Sequence, residues 1–143
     1  MTSTGNSPAL RIVRASALYD AVVTTGFALP WLAAATFGTL ADVHDKLDLS
    51  GSLPDADDPF TVLFAGLMGG LVLVWSVVRI VRPTLLVGAA DTVARALFCL
   101  GMVVALAEGA STVIVGFLVP EAVWGVVQGI AVAVALQRRT LTT

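Results

Sequence analysis

The sequence predicts an all-α protein, an antiparallel four-helix bundle that is integral to a membrane and forms a single domain. Of the 143 residues, 57% are hydrophobic and 13% are charged, which is too little charge to give a soluble domain of this length its polar surface. Four apolar stretches are long enough to cross a hydrocarbon core of about 30 Å at roughly 1.5 Å per residue. Basic residues occur in alternate connections between these stretches, as in proteins that cross a membrane several times.

The first two spans have centres without any charge. We expect their helices at about 12–38 and 59–80. In the dipeptide Asp58-Pro59, the aspartate can cap a helix, and the proline suits the first helical position, where no N–H partner is needed. The first span begins like a secretory signal peptide, but its apolar stretch exceeds the usual core of about 7–15 residues, so we expect an uncleaved anchor.

The last two spans, at about 84–107 and 112–136, are equally apolar but carry charges. Asp91 and Arg95 lie in the third span, and Glu121 lies in the fourth. Short connections with capped helix ends are predicted by the residues between spans, which are Pro83, Gly109 and Ser111.

The basic residues predict the orientation of the chain. If the N-terminus is inside, only Lys46 of the eight basic residues lies outside. Because cytoplasmic connections are enriched in lysine and arginine, we expect a multi-pass protein of the cytoplasmic membrane with both termini in the cytoplasm. The residues on the cytoplasmic side are Arg11, Arg14, Arg79, Arg82, Arg95, Arg138 and Arg139.

The connection 41–58 is predicted to be an acidic external loop, because it holds six aspartates against Lys46 alone. A cation site that includes His44 is the alternative, since oxygen ligands suit calcium and magnesium. The spacing of the aspartates matches no calcium-binding loop, and acidic loops of this kind are usually solvated connectors. We therefore expect no metal site here.

Ionisable residues inside the spans are the candidates for a function, because they are costly in lipid and usually face the bundle interior or water. Asp91 and Arg95 can pair on one helix face at a spacing of i, i+4. Together with Asp20 and Arg79 they are expected in the cytoplasmic third, where a buried cluster would join spans one, two and three. The alternative is that the arginines extend to the interface and the acids reach headgroup water.

Glu121 is the most informative of these residues. It lies nine residues after Thr112, roughly 14 Å into the span and close to the middle of a core of about 30 Å. Pro120 is expected to kink this helix. Glu121 can be a ligand or proton site, a structural partner of a group such as Arg95, or a surface acid if the helix begins at Pro120. The candidate ligand-binding or polar-core residues are Glu121, Gln128, Arg95, Asp91 and Asp20.

Other features exclude several classes of function. The net charge of −2 gives no basis for binding nucleic acid. One cysteine, Cys99, and one histidine, His44, provide neither a metal site nor haem ligands within the spans. The sequence has no catalytic triad and no phosphate-binding glycine loop, so we assign no catalytic residue, expect no cofactor and favour a protein that is not an enzyme.

Four further features point to a known family. They are a first span that ends near Pro30, a glycine-rich second span, Arg95 early in the third span and Glu121 in the fourth. This pattern resembles the DoxX-like small membrane proteins over about residues 10–137. The resemblance implies an antiparallel four-helix bundle in the bacterial inner membrane. Some members of that group are subunits of quinone-linked oxidoreductases.

Three hypotheses about function follow. The first is a non-enzymatic module in the lipid bilayer that binds a lipid or lipophilic small molecule, or serves as an accessory subunit of a membrane protein partner. The second is a small transporter or channel that works as a homo-oligomer, with Glu121 as the coupling acid. The third, which follows from the resemblance, is a quinone-linked redox subunit.

Overall fold

Five α-helices make up most of residues 7–141, the part of the chain that a computed structural model describes. They are α1 (Pro8–Thr25), α2 (Pro30–Lys46), α3 (Pro59–Val81), α4 (Leu85–Ala107) and α5 (Val115–Thr140), and a 3-10 turn, Thr112–Ile114, leads into α5. No strand occurs within residues 7–141, and the all-α prediction is confirmed. The two chain ends, which the arginine pattern assigns to the cytoplasm, lie outside the described residues.

Three of these helical segments are long and apolar enough to cross a membrane. Helices α3 and α4 have 23 residues each, and α5 has 29 with its leading turn, which corresponds to about 34–44 Å at 1.5 Å per residue. A fourth span results if α1 and α2 are counted together as one broken span. The chain therefore has the helices of a membrane protein, as its composition predicts.

Side-chain caps begin several of these helices. The Asp58 carboxylate accepts hydrogen bonds from the hydroxyl and the backbone N–H of Thr61, both at 2.8 Å. These two bonds, the hydroxyl first, hold the pKa of Asp58 below its ordinary value. Pro59 follows at the first helical position, as predicted. The same capping role is taken in α1, α4 and the 3-10 turn by Ser7, Thr84 and Ser111.

Helices α1 and α2 meet at an angle of 89°, which corrects the prediction of one continuous helix at 12–38. Gly26 ends α1, and Pro30 begins α2. Pro30 has no N–H to continue a helix, and its ring pushes the preceding residue, Leu29, into extended backbone with φ −129° and ψ 141°. The hydroxyl of Thr36 donates to the Gly26 carbonyl at 2.9 Å and ties the two helices across the turn.

The turn between α1 and α2 lies against the middle of α3. A Cβ atom at Gly69 would lie 2.6 Å from the carbonyl carbon of Phe27 and 2.8 Å from the backbone nitrogen of Ala28. At the adjacent Gly70, a Cβ atom would meet nothing within 4 Å. Glycine at position 69 therefore allows α3 to touch the backbone of the turn. At position 70, a side chain would not contact the turn.

Helix α2 includes the first residues of the acidic external loop predicted at 41–58, so the loop itself is shorter than expected. Backbone hydrogen bonds tie this loop to the connection between α4 and α5. The N–H of Ser52 donates to Gly109 at 2.9 Å, and the N–H of Ser111 donates to Ser52 at 2.8 Å. His44 Nδ1 lies 2.7 Å from the Ser111 hydroxyl oxygen. Among residues 7–141, no group of three or more His, Cys, Asp or Glu is placed to hold a metal ion.

The long helices pack as two pairs. Helix α1 packs along α3, α4 packs along α5, and contacts between α1 and α5 join the pairs. Glycines allow α4 and α5 to come close, because a Cβ atom at Gly129 would already lie 3.0 Å from Cγ2 of Thr92. The backbones of α3 and α4 stay apart, although only residues 82–84 separate the two helices along the chain. A cleft therefore remains between α3 and α4.

Candidate functional site

Five charged side chains from four helices meet inside the bundle. We call Asp20 of α1, Arg79 of α3, Asp91 and Arg95 of α4, and Glu121 of α5 the charged cluster. Both arginines are buried, with exposed fractions of 0% and 1%. Charges removed this completely from water require charged or hydrogen-bonding partners, and the acids of the cluster provide them.

The two arginines connect the helices. Nη2 of Arg79 lies 2.5 Å from Oδ2 of Asp20, and its Nη1 lies 2.7 Å from Oδ2 of Asp91. Arg95 contacts the same two oxygens, with Nη2 at 2.5 Å from Asp20 and Nε at 3.0 Å from Asp91. The Nη1 atom of Arg95 also lies 2.8 Å from Oε2 of Glu121. The ion pairs thus link α1, α3, α4 and α5.

Neutral polar side chains extend the cluster. Nε2 of Gln128 donates to Oδ2 of Asp91 at 2.9 Å and to the Gly88 carbonyl at 3.0 Å. Its Oε1 atom accepts a hydrogen bond from the Ser16 hydroxyl at 2.5 Å. The indole Nε1 of Trp75 donates to Oδ1 of Asp91 at 2.8 Å. Asp91 therefore accepts hydrogen bonds from four side chains and is the most connected acid of the cluster.

Helical spacing explains why single helices contribute several of these groups. Residues four or seven positions apart lie on the same helix face. Three such pairs belong to the network: Ser16 with Asp20, Asp91 with Arg95, and Glu121 with Gln128. Local sequence thus determines which polar groups share a face, and helix packing determines which faces meet.

The charged cluster extends from the end of α3 to the middle of α4. Arg79 lies near the end of α3, but Arg95 lies ten residues into the 23-residue helix α4, about 15 Å from its start. Glu121 pairs with Arg95 at this level. Helix α5 begins five residues before Pro120 and continues through it. The alternative in which span four begins at Pro120 is therefore wrong.

The cluster contains more acid than base. Its three carboxylates and two guanidinium groups give a formal charge of −3 + 2 = −1. Oδ1 of Asp20 and Oε1 of Glu121 accept no hydrogen bond from the described residues. Within the same part of the chain, Nε of Arg79 is the buried side-chain nitrogen without a partner. Two carboxylate oxygens from residues that line one cavity thus have no donor among the described residues.

An apolar cavity of about 660 Å³ lies beside the charged cluster and is lined by α1, α3, α4 and α5. Met68, Leu71 and Phe98 line this cavity and are also exposed on the protein surface, which places its mouth in the cleft between α3 and α4. Its charged part consists of Asp20, Arg79, Asp91 and Glu121. Its aromatic wall consists of Tyr19, Trp75, Phe98 and Phe117.

The structure brings the five predicted candidate residues into one network. Asp20, Asp91 and Glu121 line the cavity. Arg95 and Gln128 do not line it, but each donates hydrogen bonds to these acids. The two predicted residues of α5 are therefore divided, with Glu121 at the cavity wall and Gln128 in the bundle interior.

Sequence reasoning missed several neutral members of the network, of which Ser16 and Trp75 are two. Ser16 lies one helical turn before Asp20, and Trp75 lies one turn before Arg79. Searching for polar side chains one turn away from each intramembrane charge would have found both of them. Their hydrogen bonds to Gln128 and Asp91 depend on other helices and have no signal in the local sequence.

The arrangement holds charge beside an apolar cavity, which suits binding. The Ser16 hydroxyl donates to the Val13 carbonyl and to the Gln128 amide oxygen, neither of which is a base that activates a nucleophile.

Comparison of the chain with protein-family models, with curated proteins and with solved structures finds no match. The resemblance to DoxX-like proteins therefore stays a prediction.

Proposed function

We propose that the chain is a multi-span membrane protein without enzymatic activity, which binds a lipophilic small molecule between its helices. The observation that carries this proposal is the cavity of about 660 Å³, with apolar walls and a charged part on one side. Sites for small molecules typically measure about 300–1,000 Å³ and combine apolar walls with a few convergent polar groups. The cavity has both properties.

The position of the cavity mouth supports entry of the ligand from the bilayer. Helices α3 and α4 are among the most apolar of the chain, and their backbones stay apart, with side-chain contacts of Trp75 and Arg79 to Asp91 between them. A cleft between two membrane-spanning helices opens toward lipid rather than toward water. A lipophilic molecule dissolved in the bilayer then reaches the charged cluster without crossing an aqueous phase.

The proposal includes four antiparallel spans with both termini in the cytoplasm. Nε of Arg14 donates to the Ile80 carbonyl at 3.3 Å, which supports a common side for the arginine-bearing ends of α1 and α3. The turn after α1 meets α3 at Gly69, and α2 then reaches the connection between α4 and α5 through the contact of His44 with Ser111. In this topology α1 and α2 form one broken span.

Cysteine labelling tests the orientation. In a Cys99→Ser background expressed in a bacterial host, we introduce Asp57→Cys in the acidic loop or Leu141→Cys at the end of α5, both at exposed positions. A membrane-impermeant maleimide should label Asp57→Cys in intact cells and Leu141→Cys only after permeabilisation. The reverse pattern would overturn the N-in, C-in orientation.

A matched pair of cavity variants tests the binding function. Ala94 lines the cavity, whereas Ala96 on the same helix is exposed and does not line it. Native mass spectrometry from mild detergent should show a stoichiometric lipophilic adduct on the wild type and on Ala96→Phe, but not on Ala94→Phe. In nanodiscs, the neutral dye N-phenyl-1-naphthylamine should likewise bind to the wild type and to Ala96→Phe, but not to Ala94→Phe. Equal results for all three proteins in both assays would contradict the proposal.

A continuous polar chain favours transport as a second candidate function. Hydrogen bonds run from Glu121 through Arg95, Asp91 and Gln128 to Ser16, which links the cavity to the arginine-bearing side of the bundle. Glu121 would then be the coupling acid of an oligomeric transporter. Proton flux into proteoliposomes should be lost in Glu121→Gln. Equal flux in the wild type and the variant would remove Glu121 from the mechanism, and absence of flux in both would count against transport.

A further inference from the structure

We infer that the ligand of this cavity is an organic cation, bound with its charge against Asp20 and Glu121 and with its apolar groups along the aromatic wall. The inference rests on the proposed function, since it requires the cavity to be a ligand site. Three properties of the site support it: its formal charge, its carboxylate oxygens without donors among the described residues, and the aromatic residues that line the same cavity.

The formal charge of the cluster is the first argument. Three carboxylates against two guanidinium groups leave one negative charge without a counterpart. An uncompensated charge is costly in a medium of low dielectric constant, and a bound cation removes that cost. A proton on one acid would also balance the charge, but it would leave the apolar space beside the acids without a role.

The distribution of hydrogen bonds is the second argument. Each guanidinium nitrogen of Arg95 donates to an acid of the cluster, and Arg95 does not line the cavity, so this arginine is not presented to an anionic ligand. Both Nη atoms of Arg79 likewise donate to acids, and the side chain is fully buried, with an exposed fraction of 0%. By contrast, Oδ1 of Asp20 and Oε1 of Glu121 accept no hydrogen bond from residues 7–141, and both residues line the cavity. The site therefore offers the ligand mainly acceptors with negative charge.

The aromatic wall is the third argument. Four aromatic side chains, from α1, α3, α4 and α5, line the same cavity as these acids: Tyr19, Trp75, Phe98 and Phe117. The face of an aromatic ring attracts cations, most strongly for tryptophan, and groups of such rings recognise quaternary ammonium ligands in other proteins. Aromatic rings next to unpaired carboxylate oxygens fit a cation with apolar substituents better than a neutral lipid, which would use neither the charge nor the ring faces.

Three probes of nearly equal shape separate charge from hydrophobicity. Tetraphenylphosphonium carries one positive charge, tetraphenylsilane is neutral, and tetraphenylborate carries one negative charge. We measure their binding by equilibrium dialysis against the full chain in nanodiscs, with binding to empty nanodiscs subtracted. The phosphonium should bind at least about tenfold more tightly than the silane, and the borate should bind most weakly.

Two glutamate variants locate the origin of this preference. Glu121→Gln removes the excess negative charge but keeps the shape and an acceptor for Arg95. It should weaken phosphonium binding by about tenfold and leave silane binding unchanged, which also shows that the variant is folded. Glu108→Gln is the matched control, because Glu108 is exposed and lies outside the cavity. If Glu121→Gln does not fold, Asp20→Asn provides the same test.

The outcomes distinguish this inference from the proposed function. If the silane and the borate bind as tightly as the phosphonium, and Ala94→Phe abolishes binding of all three, the cavity is a ligand site but the inference about charge is wrong. An unchanged phosphonium affinity in Glu121→Gln would likewise show that the inference about charge is wrong. If none of the probes binds, or if Ala94→Phe affects none of them, the proposed function fails and the inference fails with it.

Discussion

Replacing Gly69 with alanine tests the turn between α1 and α2. The new Cβ atom would lie 2.6 Å from the Phe27 carbonyl carbon, about 0.9 Å inside the shortest favourable carbon–carbon separation of about 3.5 Å. The obstructing atoms belong to the backbone of the turn, so no side-chain rotation relieves the overlap. Overpacking of this kind typically costs about 1–3 kcal/mol. We expect Gly69→Ala to lower the free energy of unfolding by that amount.

The adjacent glycine provides the control for this prediction. A Cβ atom at Gly70 meets nothing within 4 Å, and alanine is a better helix former than glycine by about 1 kcal/mol in water. Gly70→Ala should therefore leave the free energy of unfolding unchanged or raise it slightly. The measurement is denaturant unfolding in detergent micelles, followed by helical circular dichroism, for both variants. Equal stability of the two variants would mean that the turn does not lie against α3.

Two further predictions concern a buried acid, Asp91, and the helix-capping acid Asp58. Asp91→Asn should lower the free energy of unfolding by about 3–5 kcal/mol, because it leaves Arg79 and Arg95 buried with one carboxylate fewer. Denaturant unfolding measures this free energy, and a loss below about 1 kcal/mol would contradict the pairing of Asp91 with both buried arginines. Thr61→Val should let the pKa of Asp58 return toward 3.8. Because the folded pKa is lowered, the stabilisation by Asp58 is present above that value and disappears as the pH falls through the folded pKa. The difference in melting temperature between the wild type and Thr61→Val should therefore shrink from about pH 5 to pH 2. A constant difference would mean that the Thr61 hydroxyl does not stabilise the Asp58 carboxylate.

Local sequence predicts the bounds of the helices closely where capping residues are present. Asp58-Pro59 begins α3 as expected, and the helix predicted at 84–107 is found at Leu85–Ala107. The prediction fails at Gly26–Leu29, because the apolar composition continues without interruption from α1 into α2. Hydropathy detects the length of an apolar stretch but not a bend within it. Pro30 is the local signal of the break, yet proline is also tolerated inside membrane helices.

The candidate site was predictable in its parts but not in its geometry. The pairing of Asp91 with Arg95 follows from their spacing, and the presence of Glu121 in an apolar span marks it as unusual. That Glu121 takes Arg95 as its partner, and that Arg79 bridges Asp20 and Asp91, depends on which helices become neighbours. These contacts join residues far apart in the chain, and no local pattern specifies them.

The amino-acid sequence by itself determined that this chain is helical, that its helices are long and apolar enough for a membrane, and which charged residues share a helix face. These properties depend on composition and on the 3.6-residue period, which are local. The tertiary structure alone decided the bend after α1, the charged cluster and the cavity in the cleft between α3 and α4. The physical reason is that apolar residues facing lipid and apolar residues facing another helix are alike in sequence, so only packing shows where the two long helices stay apart.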